Sequence, residues 1–155
     1  MPDSVRILLA DDHTIVRGGL RMLLEREPGF SVVAEAADGR EAIELVESRM
    51  PDVAVLDVAM PNLNGIEAAR QITARHPGIP VVILSMHSDE GYVLRALKAG
   101  ARGYLLKDAP ETDLIAAIRA VHRGEAYFSP AVSKMLVEDY VRQLCEQNVE
   151  DTYEL

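Results

Sequence analysis

The chain has 155 residues, 48% of them hydrophobic, a formal net charge of −9 and one cysteine, Cys145. That length supports one domain with its own core plus a small appendage, and a lone thiol excludes an internal disulfide framework and fits the reducing cytoplasm. The acidic excess excludes a nucleic-acid grip by this stretch, which needs a basic footprint, and the longest apolar runs, at residues 7–10 and 81–84, are too short to cross a bilayer.

In chain order, residues 5–10 (VRILLA) are short, branched and apolar and predict a strand. A helical pattern follows over 13–26 and is stopped by Pro28-Gly29. Residues 31–36 (SVVAEA) predict a second strand and 39–49 a second helix. Residues 53–56 (VAVL) are apolar throughout, the mark of a strand buried on both faces. A helix is expected over 64–76, then Pro77, Gly78 and Pro80 interrupt the chain before a strand at 81–84. The fourth helix is expected over 89–99, with Gly100 at the position after its end. Residues 103–106 (GYLL) predict a fifth strand and 110–123 a fifth helix. Beyond Gly124 the pattern changes: Ser129 suits an N-cap and Pro130 a first helical residue. A sixth helix to about residue 147 is expected, with Val132, Leu136, Tyr140 and Leu144 as a narrow apolar stripe, serving as a linker or an extra packing helix.

Five strands alternating with helices imply an α/β fold: a doubly wound, five-stranded parallel sheet of flavodoxin-like order 2-1-3-4-5, with helices on both faces. Such sheets place ligands at the carboxyl ends of their strands. The polar residues there are Asp11, Asp12, Asp57, Ser85 and Lys107. Taken singly, each has an ordinary use: Asp12 as a helix cap, Asp57 as a turn former, Ser85 and Lys107 as surface groups. Taken together, they gather three carboxylates, a hydroxyl and an ammonium at one rim. Three carboxylates repel unless a cation joins them, and hard oxygen donors with phosphate completing the shell favour Mg²⁺. Lys107 supplies a point charge to an anion and Ser85 a hydrogen bond. The chemistry that fits is phosphoryl transfer to a carboxylate, with Asp57 as acceptor.

These residues, within the stretches ILLADDHTIVRGGLRMLLE, VAVLDVAMPNLNGIEAAR, VVILSMH and GARGYLLKDAP, closely resemble the receiver domain of bacterial response regulators, in particular its NarL/FixJ group. The resemblance covers about residues 1–125 and implies a switch phosphorylated by a sensor histidine kinase, not an enzyme beyond slow loss of its own phosphoryl group. It implies that Asp57 is the phosphoacceptor and that Asp12, Asp57 and the backbone carbonyl of Ala59 ligate Mg²⁺. Asp11 is expected to act mainly through a metal-bound water. Ser85 and Tyr104 are the expected switch pair, Tyr104 turning inward as Ser85 moves toward the phosphoryl group. Gly65 is expected to supply unusual backbone angles after the phosphoacceptor. Residues 126–155 read as a helical linker toward a DNA-binding output domain of the LuxR type that this sequence lacks. A naturally solitary receiver acting through protein contacts is the alternative. Homodimerisation on phosphorylation is expected, and contact with DNA only through the output domain, with no membrane partner.

Two positions depart from the pattern. Asp108, not Pro, follows Lys107, so the isomer of that bond is open. Ala59 brings no side chain to the site, which leaves the phosphoryl lifetime to neighbours such as His87, and removes the second acid that aspartyl phosphatases place two residues after the nucleophile. The four histidines lack metal-ligand spacing and are read as structural or solvent-facing, although His13 sits beside the acidic pair and is placed to tune it.

Overall fold

A computed structural model of the chain describes residues 4–86 and 90–154, without the side chains of residue 90 and residues 148–154. Strands β1 (Val5–Ala10), β2 (Phe30–Ala36), β3 (Val53–Asp57), β4 (Val81–Ser85) and β5 (Gly103–Leu106) alternate with helices α1 (Thr14–Arg26), α2 (Gly39–Arg49), α3 (Gly65–Arg75), α4 (Glu90–Lys98) and α5 (Glu111–His122). They form a parallel sheet in the order β2-β1-β3-β4-β5, as expected. The expected helix start at Asp89 lies outside the described residues.

The sheet has one strand more than the sequence predicts. Strand β6 (Tyr127–Phe128) pairs parallel with β5, Gly103 opposite Tyr127 and Tyr104 opposite Phe128. Two residues are too few to carry a periodicity, so only the partner strand selects this conformation. Helix α6 (Pro130–Glu154) follows at once, and the Val132 amide donates to Ser129 Oγ at 3.4 Å, the expected cap.

Strand alternation sorts the core into two layers. Leu8, Ala10, Ala54, Leu56, Ile83 and Tyr104 face the side covered by α2, α3 and α4, and Val132 of α6 joins them. Ile7, Leu9, Val55, Val82 and Leu105 face the other side, under Leu24 of α1 and Leu114, Ile118 and Val121 of α5. Every residue of β3 is buried, since it has neighbours on both edges and both faces. Each such aliphatic side chain contributes about 1.5–3 kcal/mol by leaving water.

The helix starts are chosen locally. Asp38 accepts the Glu41 amide at 2.8 Å and Asn64 the Glu67 amide at 2.9 Å, each satisfying a donor in the first turn. Gly100 ends α4 at φ +100°, where a side chain would be strained. The two N-caps fix where the β2–α2 and β3–α3 loops end, and the polar rim lies at the carboxyl ends of β1, β3, β4 and β5.

Candidate functional site

Strand register sets the rim. Ala10 lies opposite Leu56, Asp57 opposite Leu84 and Ser85 opposite Leu106. The residues at or one step beyond those strand ends are Asp11, Asp57, Ser85 and Lys107, so neighbouring strands deliver them to one edge. Asp11, Asp57 and Ser85 are buried there.

The Lys107 ammonium donates to Asp57 Oδ2 at 2.9 Å and to Asp11 Oδ2 at 3.3 Å. The remaining Asp57 oxygen accepts the Ala59 amide at 3.4 Å, and Asp11 Oδ1 accepts the His13 amide at 2.8 Å. Both carboxylates are thus held from two sides. Asp12 is not the cap of α1: that position belongs to His13, which makes no side-chain cap bond, and α1 starts at Thr14. Its carboxylate remains about one-third exposed, 3.1 Å from His13 Nδ1.

Asp11, Asp12, Asp57 and His13 offer donor atoms that all lie within 4.8 Å of one another. Three carboxylates in that space fit a hard divalent cation, and the open side at Asp12 leaves room for water and phosphate oxygens as Mg²⁺ prefers. His13 was legible only as a neighbour of the acidic pair; the turn into α1 brings its ring to 3.2 Å from Asp11 Oδ1.

Burial pushes the Asp57 carboxyl above its ordinary range, and the Asp11 charge adds to this, while Lys107 and the Ala59 amide pull it back only in part. Burial alone would lower the Lys107 ammonium, but its hydrogen bond and attraction to Asp57, reinforced by Asp11, raise it instead. An acidic pocket that resists its own ionisation is one that gains from a cation.

The loop after Asp57 folds back on it. The Val58 amide donates to the Leu84 carbonyl at 3.1 Å and the Gly65 amide to the Val58 carbonyl at 3.0 Å. Gly65 is required for a reason other than the expected one. Its φ is not positive; a Cβ there would lie 2.0 Å from the Asp57 carbonyl oxygen. The left-handed residue of this loop is Asn62, at φ +66°, a conformation Asn tolerates.

Tyr104 is fully buried in the layer under α4, so its ring is already inward. The Lys107 amide donates to the Ser85 carbonyl at 2.9 Å, which ties the end of β4 to the loop after β5. No peptide bond among the described residues is cis, so Lys107 and Asp108 are joined in trans. His87 lies outside the described residues.

The family described as response regulator receiver domain matches residues 7–119. The chain is 43% identical over 150 residues to the transcriptional regulatory protein DegU of Brevibacillus brevis, covering 97% of this chain and 64% of that protein. It therefore spans just under two thirds of the length of that relative. Among solved structures, a LuxR-family two-component response regulator from Aurantimonas sp. SI85-9A1 superposes with a TM-score of 0.84 at 41% identity, over 89% of this chain and 99% of that one. The receiver domain of the putative response regulator NarL from Mycobacterium tuberculosis gives 0.76 at 35% identity, over 79% and 98%. Among the described residues no helix is long and apolar enough to cross a membrane.

Proposed function

Because the chain belongs to the response regulator receiver family, with relatives in its NarL and LuxR groups, we propose that Asp57 accepts a phosphoryl group from a phosphohistidine of a sensor kinase. An Asp57 carboxylate oxygen forms the new bond to phosphorus as the bond from phosphorus to the histidine nitrogen breaks. The observation that carries this reading is Lys107 bridging Asp57 and Asp11 beside an open Asp12. Asp12, Asp57 and the Ala59 carbonyl are the groups that would hold Mg²⁺, and Asp11 would orient a water on it. Bound there, the ion supplies charge neutralisation to the transferring group.

The protein's own residues do the rest. The Lys107 ammonium lies where it neutralises the oxygens of the transferred group. The buried floor keeps bulk water from the new acyl phosphate, and the exposed side at Asp12 admits the donor. Ser85 donates its hydroxyl to the phosphoryl group. The added charge of about −1.5 to −2 then biases strands β4 and β5 through Ser85 and Tyr104. The readout is a surface recognised by a partner: a second copy of the chain and, in a longer protein, a LuxR-type DNA-binding output domain joined through α6. The protein acts in the cytoplasm as a switch and not as an enzyme.

Incubation with Mg²⁺ and beryllofluoride tests this. Wild type is expected to shift its amide resonances around Asp57, Ser85 and Tyr104, and Asp57→Ala to show none of those shifts. No response from wild type, or an equal response from both, overturns the reading.

A further inference from the structure

Asp11 has both of its backbone polar groups committed. Its amide donates to the Ala36 carbonyl at 3.0 Å, and its carbonyl accepts Arg17 Nη1 at 2.6 Å. Arg17 lies in the first turns of α1, only 17% exposed, and its Nε donates to Glu35 Oε1 on β2 at 3.1 Å. Arg21, one helical turn on, donates to the other oxygen of Glu35. One carboxylate on β2 therefore clamps two successive turns of α1, and the nearer arginine reaches past it to the carbonyl of Asp11.

The consequence follows from covalent geometry. A peptide unit is planar, so fixing the carbonyl of Asp11 fixes the amide nitrogen and Cα of Asp12 as well. Asp12 is the more exposed of the acidic pair, and α1 begins without a side-chain cap that would hold this turn from the other end. We propose that Arg17 is a positioning residue for the cation site: it sets the peptide plane between Asp11 and Asp12, and Glu35 holds it in place to do so. This rests on the reading of the site as a divalent-cation site.

Charge and position make opposite demands here, and that makes the inference testable. Arg17 is a cation beside an acidic cluster. If it acted through its field alone, removing it would tighten Mg²⁺ binding. If it positions Asp12, removing it weakens binding, as loss of a group that orients a metal ligand does.

The experiment is a Mg²⁺ titration of the 155-residue chain by calorimetry, with the melting temperature of each metal-free variant measured in parallel. Arg17→Gln is expected to bind about tenfold more weakly than wild type. Glu35→Gln should move in the same direction by less, and Arg17→Lys should lie between wild type and Arg17→Gln, because it keeps the charge but not the forked geometry. Val132→Ala, remote from the site, should lower the melting temperature without changing Mg²⁺ affinity. Should Arg17→Gln prove too unstable to titrate, Arg17→Lys decides alone: it keeps the charge, so a pure field effect leaves Mg²⁺ affinity at the wild-type value and lost positioning weakens it. Equal or tighter binding by Arg17→Gln, or by Arg17→Lys in that case, overturns the inference while leaving the cation site standing. Failure of wild type to bind overturns the cation site itself.

Discussion

Lys107 and Asp57, 50 positions apart in sequence, meet at 2.9 Å with Asp57 almost wholly buried and Lys107 only 16% exposed. The same ammonium lies 3.3 Å from Asp11, so one cation serves two buried carboxylates. Without metal it is the charge that keeps this rim together, and the groups it holds are those a phosphoryl group would meet.

Lys107→Ala leaves Asp57 and Asp11 facing each other without that partner. The expected cost to the metal-free protein is on the order of 3 kcal/mol, read by urea denaturation. The Asp57 carboxyl should move further above its ordinary range, because its pull-back by Lys107 is lost; carbon-detected titration of the carboxyl reads this. A variant as stable as wild type, with Asp57 unmoved, contradicts the bridging role.

Asp57→Asn is expected to stabilise the metal-free protein at neutral pH. The Asp57 carboxyl is raised from 3.8 in the folded protein, chiefly by burial, so the folded state holds that proton more tightly than the unfolded chain does. The associated stability is complete below 3.8 and is lost as pH rises through the raised value. Asn does not titrate, so its advantage over wild type should grow as pH rises from 3.8 through the raised value. Mg²⁺ at ten times its dissociation constant should add about 1.4 kcal/mol to wild type and far less to the variant. A gap that shrinks with rising pH reverses the sign and refutes the burial argument.

Two glycines should respond in opposite ways to alanine. Gly65→Ala forces a Cβ to within 2.0 Å of the Asp57 carbonyl oxygen, and is expected to cost about 3 kcal/mol and to impair phosphoryl acceptance. Gly18, inside α1 with nothing within 4 Å of its Cβ position, should give about 0.5–1 kcal/mol of added stability as Ala. Thermal melts of the two variants decide it; an innocuous Gly65→Ala shows that the loop yields.

The first turn of α6 belongs to the core. Val132→Ala is expected to cost about 2 kcal/mol, whereas Val137→Ala, 62% exposed, should change stability by less than about 0.5 kcal/mol. Equal effects at both positions mean that α6 packs otherwise in solution.

Much of this was legible in order of residues alone. β1 and β5 coincide with their predictions and the other three strands differ by one residue at one end, because runs such as VAVL and VVIL are short, β-branched and apolar throughout. The crossover rules then leave one economical sheet order, and that order puts Asp11, Asp57, Ser85 and Lys107 at one edge. The acidic rim is therefore a property of pattern and topology. What pattern could not determine are relations made by approach across the fold. β6 exists because β5 presents an unpaired edge to two residues with no signal of their own. Gly65 is needed because the Asp57 carbonyl comes too close for a side chain, not because its own φ is unusual. Arg17 is given its role by the fold: β2 brings Glu35 beside it and the turn into α1 brings the Asp11 carbonyl within 2.6 Å. Periodicity reports which face of an element is buried; only packing decides which backbone atom a buried group will touch.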